Sequence, residues 1–242
     1  MDKNHTLNEM VSAIQKKRAS LVEAVYQAHG QPISPAVSPG DDWNPFLKFD
    51  TAWHPDATKA HAACREWVYA VSSGQRRGLV LWSKANPRLK QTGYGTGKTI
   101  LATMAHDTLK VMYDHEGQAQ RVKFANAPDF IQDIKDAYSK NAPVANLFDD
   151  WTRGHFIMDD WGKQYATERG EEWVREQFYR IINRLYEARR GFLLTCNLSP
   201  ADLEAQIGGA SWSRLLGMCG PSGFVDMSAV PDYRLKLGGF VG

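Results

Sequence analysis

A glycine-rich stretch near the middle of the chain combines the residue types that bind phosphate groups. It comprises Gly93, Tyr94, Gly95, Thr96, Gly97, Lys98, Thr99 and Ile100. Residues without a Cβ let backbone N–H groups turn inward around an anion, a lysine reaches the β- and γ-phosphates, and a hydroxyl ligates Mg²⁺. An apolar run precedes the stretch and a helical pattern follows it, so a helix N-terminus adds partial positive charge. We therefore predict a phosphate loop for a nucleoside triphosphate and Mg²⁺.

The loop departs at one position from the full G-x-x-x-x-G-K-T pattern, which requires glycine where this chain has Thr92. Gly93 can make the turn in its place if the loop is shifted by one residue. In that arrangement Lys98 still contacts the phosphates and Thr99 still ligates the metal ion.

Two acidic residues, Asp159 and Asp160, follow the apolar run Phe156–Met158. Acids at such a place either begin a helix or lie at the carboxyl edge of a sheet, where open α/β sheets bind their ligands. Beside a phosphate loop, Asp159 would hold the Mg²⁺ shell and Asp160 would polarise a water for attack on the γ-phosphate. The position downstream of the glycine-rich stretch favours this second interpretation.

The remaining candidates are one asparagine and two arginines. Asn197 follows another apolar run, and it either orients the attacking water or forms an Asx turn before the next helix. Arg214 and Arg234 lie in the segments SWSRL and DYRLK. An arginine donated across a subunit boundary stabilises transition-state charge, although most single arginines are solvated surface residues. Only their order after the other motifs makes these two arginines candidates.

Alternating helices and short apolar strands position these motifs. Strands that are short and apolar throughout predict a parallel sheet covered by helices on both faces. The predicted strands are 78–82, 122–125, 156–158 and 192–195, and the predicted helices are 57–71, 171–190, one after Lys98 and one that Asn126 and Pro128 begin. The fold class is therefore α/β.

The first 45 residues differ from the rest of the chain. Residues 1–30 form one amphipathic helical pattern, and residues 31–45 are rich in proline, which favours an extended linker. A helix on a tether cannot bury its own apolar stripe, so it either binds a partner or folds back onto the domain predicted over 46–242. We expect partner binding.

The composition is that of an ordinary globular protein, since 43% of the 242 residues are hydrophobic and 23% are charged. Lysine and arginine total 29 against 27 acidic residues, so any nucleic-acid site must be a local patch.

The three cysteines are far apart and give neither a disulfide framework nor a zinc pair. There is no apolar signal segment and no run of about 18 apolar residues. We expect a cytoplasmic protein, in a bacterium or in the host of a phage, with no membrane partner.

Taken in order, the motifs resemble those of the DnaC/DnaI-type helicase loaders and their IstB-like relatives among the AAA+ ATPases. The resemblance extends from about Asn44 to the C-terminus. Besides the phosphate loop it includes the segments VKFANAPDFIQDIKDAY, MDDWGKQYATERGEEWVREQFYRIINRLYEARRG, LLTCNLSPADL, SWSRL and DYRLK. It implies a P-loop AAA+ fold with a truncated lid, which agrees with the 45 residues that follow Asn197. One departure is the insert over residues 83–92, where family members pass almost directly from the first strand into the glycine loop.

The resemblance also implies a role for each candidate residue. The Walker A pair that binds ATP and Mg²⁺ is Lys98 and Thr99, and the Walker B acids are Asp159 and Asp160. Sensor I, the arginine finger and a sensor II-like arginine are Asn197, Arg214 and Arg234, respectively.

Members of this family bind single-stranded DNA inside a spiral assembly of identical copies. Such sites combine positive charge with aromatic side chains for stacking. The residues near the acidic strand that fit this description are Lys135, Tyr138, Lys140, Lys163 and Tyr165. Tyr138 could instead pack in the core.

The resemblance therefore implies an ATP-dependent loader that binds a replicative DnaB-type helicase and places it on single-stranded DNA. Segment 1–30 would dock on the helicase. The alternative is an IstB-like transposition ATPase that assembles on duplex DNA. A small-molecule P-loop kinase, which would act as a monomer without using Arg214, is a third class.

Overall fold

A single parallel sheet organises the molecule. The computed structural model describes residues 46, 49–85, 92–114, 121–162 and 168–233. The strands within these ranges are β1 Gly78–Trp82, β2 Val122–Asn126, β3 His155–Trp161, β4 Phe192–Cys196 and β5 Phe224–Asp226. Their order is β2-β3-β4-β1-β5, and every neighbouring pair is parallel. The predicted parallel sheet is confirmed.

Seven α-helices lie within the described residues. They are α1 Pro55–Ser72, α2 Lys98–Asp114, α3 Ala127–Ser139, α4 Val144–Thr152, α5 Glu168–Glu187, α6 Pro200–Ile207 and α7 Gly209–Cys219. Three of them, α1, α3 and α6, carry proline in the first turn, where its missing N–H costs no hydrogen bond. Ser199 caps α6 by accepting a hydrogen bond from the N–H of Asp202 at 3.3 Å.

The core consists of two apolar layers, one on each face of the sheet. Successive strand residues enter opposite layers, because side chains alternate along a strand. Leu79 and Leu81 of β1 pack with α1 and α2, whereas Val80 packs on the other face with α3, α4, α5, α6 and α7. Strands β1, β3 and β4 are buried along almost their whole length, and the polar motifs lie at the carboxyl edge that these three strands share.

An irregularity interrupts the pairing of β3 with β4. Met158 pairs with Leu194 and Trp161 pairs with Cys196, so two residues of β3, Asp159 and Asp160, lie opposite the single residue Thr195. This is a β-bulge, which locally redirects side chains. Asp160 has a φ of 56°, in the left-handed region that few residues other than glycine adopt. The acids therefore lie inside a longer β3 than the sequence predicts, and they do not begin a helix.

Parts of the expected organisation lie outside the described residues. These include the helix predicted over 1–30 and the linker over 31–45. Between β5 and Tyr233 the described chain contains no α-helix. None of the described helices has both the length and the apolar character required to cross a bilayer.

Candidate active site

The phosphate loop joins β1 to α2 at the carboxyl edge of the sheet. Gly93 has a φ of 75°, and a Cβ at this position would come within 2.9 Å of the backbone of Lys84 and Ala85. Only glycine permits this conformation and this approach without strain. Gly93 therefore makes the turn that the sequence pattern assigns to position 92. At this turn the loop lies against Lys84 and Ala85, the last described residues before the gap in the insert.

Lys98 lies inside the loop and is only 7% exposed. Its ammonium group donates to the Ser83 hydroxyl at 2.5 Å, the Gly93 carbonyl at 3.1 Å and the Asn197 side-chain carbonyl at 2.9 Å. Ser83 is fully buried and in turn donates to the Gly93 carbonyl at 2.5 Å. The loop and its lysine are thus held by the first residue after β1.

Asp159 faces the first turn of α2. The Thr99 hydroxyl donates to both oxygens of its carboxylate at 3.0 and 3.1 Å, and the Thr195 hydroxyl donates at 2.6 Å. Burial raises the pKa of the Asp159 carboxyl above its usual range, and the nearby charge of Asp160 acts in the same direction. The hydrogen bonds from Thr195 and Thr99, together with the Lys98 charge, partly offset this rise.

Asp160 lies beside Asn197 at the ends of β3 and β4. The Asn197 amide donates to the Asp160 carboxylate at 3.0 Å, and its carbonyl accepts from Lys98. Asn197 therefore links the phosphate-loop lysine to the second acid. Its side chain serves this network, while Ser199 provides the cap of α6, so the Asx-turn alternative for Asn197 is wrong.

These side chains surround one cavity of about 490 Å³. It is lined by Tyr94, Gly95, Thr96, Gly97, Lys98, Thr99, Ile100, Asn126, Asp159, Asp160, Thr195 and Asn197. The structure thus brings together the glycine-rich loop, the two acids and the asparagine that the sequence places far apart. The size of the cavity suits a chain of phosphates, and the backbone N–H groups at the start of α2 can bind them.

The oxygen atoms beside the loop also fit Mg²⁺, a hard cation that takes oxygen ligands and keeps several waters. Thr99 and Asp159 provide a hydroxyl and a carboxylate within 3.1 Å of each other. Among the described residues there is no cluster of three or more His, Cys, Asp or Glu that would hold a metal ion without further ligands. The site therefore suits a cation that shares its ligands with phosphate and water.

Residues from both ends of the described chain cover the loop. The Tyr233 N–H donates to the Gly95 carbonyl at 2.6 Å, and its ring stacks on Phe49 with centroids 4.9 Å apart. A Cβ on Gly95, which has a φ of 71°, would overlap the carboxylate of Asp232. The segment before Arg234 therefore lies directly against the phosphate loop. Arg234 itself is outside the described residues.

Arg214 lies on α7 and is not among the residues that line the cavity of its own chain. Its guanidinium donates to the Asn183 side-chain carbonyl at 2.6 Å, the Tyr179 hydroxyl at 3.2 Å and the Ala210 carbonyl at 3.1 Å. It also lies 4.9 Å from the centroid of the Tyr179 ring. Two side chains of α5 thus hold the arginine on the surface of α7.

The candidate DNA-binding residues that the structure describes lie on α3 and just after it. Tyr138 is 46% exposed, which excludes the expectation that it packs in the core. Its hydroxyl accepts from Arg180 at 3.2 Å, and its ring meets Trp173 edge-on at 6.3 Å. The Lys135 ammonium lies 6.0 Å above the same Trp173 ring.

The other candidates for DNA contact lie after α3. Lys140 caps the C-terminus of α3 and is exposed. Lys163 and Tyr165 are outside the described residues.

The site also contains three residues to which the sequence patterns assign no role in it. Ser83 is the first polar residue after β1, Thr195 is the one hydroxyl in an apolar strand, and Asn126 pairs with Asp159 across the sheet. Asn126 precedes α3 as predicted, yet its side chain makes no capping hydrogen bond and lines the cavity. A polar residue inside or at the end of an apolar strand was the signal available in each case.

Comparison with known proteins identifies related folds. No family model matches the chain. Among curated proteins it is similar to the chromosomal replication initiator protein DnaA of Dechloromonas aromatica, with 28% identity over 124 residues, 49% of this chain and 24% of that protein. The chain thus spans about a quarter of the length of this relative.

Solved structures match over a larger part of the chain. The DnaC helicase loader has a TM-score of 0.58 and 20% identity, and the match covers 77% of this chain and 97% of that chain. The replication initiator DnaA bound to AMPPCP and single-stranded DNA has a TM-score of 0.56 and 19% identity, over 77% and 50% of the two chains. The chain has the α/β P-loop AAA+ fold of these proteins, as its motifs predict.

Proposed function

We propose that this protein is an ATPase of DNA replication initiation that loads a replicative DnaB-type helicase onto single-stranded DNA. The observation that carries the proposal is the convergence of Lys98, Thr99, Asp159, Asp160 and Asn197 around one cavity at the carboxyl edge of the sheet. The likeness in fold to DnaC and DnaA supports the setting in replication. P-loop NTPases use groups of these kinds to hold the phosphates and Mg²⁺ and to orient the attacking water.

ATP binds with its phosphates in the loop. The backbone N–H groups of residues 94–99 and the Lys98 ammonium contact the β- and γ-phosphates, as in other phosphate loops. Thr99 and Asp159 hold Mg²⁺, which neutralises charge on the phosphates when it is bound. Tyr94 and Ile100 also line the cavity.

Hydrolysis requires a water held in line with the γ-phosphate, and Asp160 is the group that orients and polarises it. Its carboxylate is held by the Asn197 amide, which also contacts Lys98. Asn197 thus couples the position of the γ-phosphate to that of the attacking water. Arg234, which follows Tyr233 in the chain, is our candidate for a further positive charge on the nucleotide.

Arg214 acts on the nucleotide of a neighbouring copy. It is half-buried on α7 and does not line the cavity of its own chain, so we assign it to the cavity of a second copy. An arginine supplied in this way stabilises the charge that develops on the transferred phosphoryl group. The active form is therefore an assembly of identical copies.

Single-stranded DNA binds along the exposed side of α3. Lys135 and Lys140 supply positive charge, and the exposed ring of Tyr138, which meets Trp173 edge-on, offers a stacking surface. Lys163 and Tyr165, which follow β3 in the chain, remain further candidates for contact with DNA. Stacking on an aromatic side chain tolerates any base, which suits a loader that acts without sequence preference.

Nucleotide binding is tested by thermal unfolding with and without ATP and Mg²⁺. At about 100 times Kd, ATP should stabilise the protein by about 2.7 kcal/mol. Lys98→Ala should abolish this shift, whereas Lys84→Ala, which removes an exposed ion pair with Asp202, should retain it. A wild-type protein that shows no shift would refute the proposed ATPase.

Helicase binding is tested by co-purification with a replicative DnaB-type helicase. The full chain should retain the helicase, and a chain lacking residues 1–30 should lose it while it still binds ATP. A truncated chain that still retains the helicase would move the docking site to the ATPase domain. No retention by the full chain would exclude a loader.

DNA preference separates the loader from an IstB-like transposition ATPase. Fluorescence anisotropy with labelled single-stranded and duplex oligonucleotides should give tighter binding to the single strand, and Tyr138→Ala should weaken it. A clear preference for duplex DNA would favour the transposition ATPase.

A further inference from the structure

Thr195 occupies the position in β4 where the sheet register changes. It is 1% exposed and lies opposite both acids of β3, because the bulge sets two residues against one. The residues on either side of Thr195 pair regularly with Met158 and Trp161. Thr195 is therefore the one residue of β4 that faces Asp159 and Asp160 together.

The hydroxyl of Thr195 contacts both acids. It donates to the Asp159 carboxylate at 2.6 Å and accepts from the Asp160 backbone N–H at 2.9 Å. A bulge leaves a backbone group without its ladder partner, and a buried group in that state is costly. The Thr195 side chain provides the missing acceptor for Asp160, so it stabilises the left-handed backbone of that residue.

We infer that Thr195 is a positioning residue that sets the relative places of the metal-holding acid and the water-orienting acid. The inference rests on the proposed ATPase activity. One hydrogen bond fixes the carboxylate of Asp159 toward Thr99, and the other fixes the backbone from which the Asp160 side chain extends toward Asn197. A single hydroxyl thereby links metal binding to the placement of the water.

Thr195→Val tests this role because valine has nearly the same shape and lacks the hydroxyl. The variant should bind ATP in EDTA within about twofold of the wild type, since both hydrogen bonds of the Thr195 hydroxyl are to residues of β3 and neither is to the phosphate loop. Its gain in ATP affinity on adding Mg²⁺ should shrink, and its kcat should fall about 10–100-fold, as is usual when a side chain that orients a metal ligand is removed. Thr195→Ser, which keeps the hydroxyl, should recover most of both.

Thr108→Val is the matched control. Thr108 is also buried, at 3% exposed, and its hydroxyl donates to the Met104 carbonyl within α2 at 2.7 Å. This variant should keep the Mg²⁺ effect and kcat of the wild type. Melting temperatures without nucleotide are measured for all variants, so that loss of fold is recognised separately.

The outcomes distinguish this inference from the proposed function. If the wild type hydrolyses ATP and Thr195→Val matches it in kcat and in the Mg²⁺ effect, the inference is wrong and the ATPase stands. If Thr195→Ser fails as Thr195→Val does, the methyl packing matters and the hydroxyl does not, which also refutes the inference. If the wild type binds ATP with Mg²⁺ but does not hydrolyse it, the proposed ATPase activity is wrong. The role of Thr195 is then decided by binding: a smaller gain in ATP affinity on adding Mg²⁺ in Thr195→Val supports the inference, and an unchanged gain refutes it.

Discussion

At the scale of single residues, the site depends on charges that the surrounding polar groups stabilise. The Lys98 ammonium is nearly enclosed, yet hydroxyl and carbonyl oxygens of Ser83, Gly93 and Asn197 surround it. Asp159 is also buried, at 3% exposed, and receives hydrogen bonds from two threonines. Buried charges are tolerated only with such partners. Both Lys98 and Asp159 therefore have the polar partners that a buried charge requires.

The two acids should have separable roles. Asp160→Asn should keep ATP affinity and its Mg²⁺ dependence but lower the hydrolysis rate strongly, because it removes the charge that polarises water. Asp159→Asn should weaken the Mg²⁺ dependence of ATP binding, because it removes a metal ligand. Isothermal titration of ATP with and without Mg²⁺, together with phosphate-release rates, measures both effects.

The two variants also test each other, because they remove the same charge from adjacent residues. Their melting temperatures without nucleotide serve as the control for folding. If both variants lose the Mg²⁺ effect and hydrolysis to the same extent, the division of roles is wrong. The network would then act as one unit.

Some site residues were predictable from their own chemistry, and others only from their neighbours. Lys98, Thr99 and the acids belong to motifs in which residue type and spacing indicate the ligand. Thr195 does not, because its function depends on the bulge that sets it opposite two residues of β3. Ser83 similarly gains its role only when Gly93 folds back against residues 84 and 85.

At the scale of elements, β3 joins the carboxyl edge of the sheet, where the two acids lie, to a buried histidine at its other end. His155 is 6% exposed, and its Nδ1 accepts from the Gly191 N–H at 2.8 Å. The proton is therefore on Nε2, which donates to the Tyr113 hydroxyl at 2.9 Å. Burial, with the charges of Arg190 and Arg121, lowers the pKa of His155 to about 4.

This histidine should make the fold sensitive to mild acid. The unfolded chain binds a proton at His155 near pH 6.5, whereas the folded chain does so only near pH 4. Stability from this residue is therefore complete above pH 6.5 and decreases as the pH falls toward 4. The expected loss between pH 7 and pH 5 is about 2 kcal/mol.

Urea unfolding at pH 7 and pH 5 measures this loss, and His155→Asn is the comparison. The asparagine can still accept from the Gly191 N–H but cannot titrate. The variant should be less stable at pH 7, by about 1–3 kcal/mol. However, it should lose less stability than the wild type on going to pH 5. Parallel losses in the two proteins would show that His155 does not titrate as inferred.

The elements themselves were predictable where they are long or apolar throughout. Strands β1, β2 and β4 and helix α1 lie close to their predicted positions, because apolar runs and proline at first turns mark them. Strand β5 has only three residues, too few to show the alternation of apolar and polar residues that predicts a strand. It is defined by its pairing with β1. The short helix α4 likewise lacks a capping hydrogen bond and is defined by packing on α5 and β3.

At the scale of the whole molecule, the nucleotide cavity and Arg214 belong to different surfaces. The cavity opens at the carboxyl edge of β1, β3 and β4, whereas Tyr179 and Asn183 of α5 hold Arg214 on α7. A single copy therefore does not bring the arginine to its own cavity in this structure. The proposed assembly supplies it from a neighbour.

The ATPase rate per molecule should therefore rise with protein concentration. It should also rise when single-stranded DNA is added, because a strand gathers several copies. Arg214→Ala should remove this rise and lower the rate by about 10³-fold or more, the effect typical of an arginine finger. It should bind ATP nearly normally, because the arginine contacts the γ-phosphate only across the interface. A wild-type rate that is independent of concentration and of DNA would contradict the assembly.

Mixing two inactive variants tests whether the site is shared between copies. Lys98→Ala cannot bind ATP but still carries Arg214, and Arg214→Ala binds ATP but lacks the arginine. In a mixed assembly, the intact cavity of the second variant can face the intact arginine of the first, so part of the activity should return. The control is each variant alone at the same total concentration, where no copy has both groups available. If light scattering shows that the two variants assemble together and no activity returns, Arg214 acts within its own chain or has no part in hydrolysis.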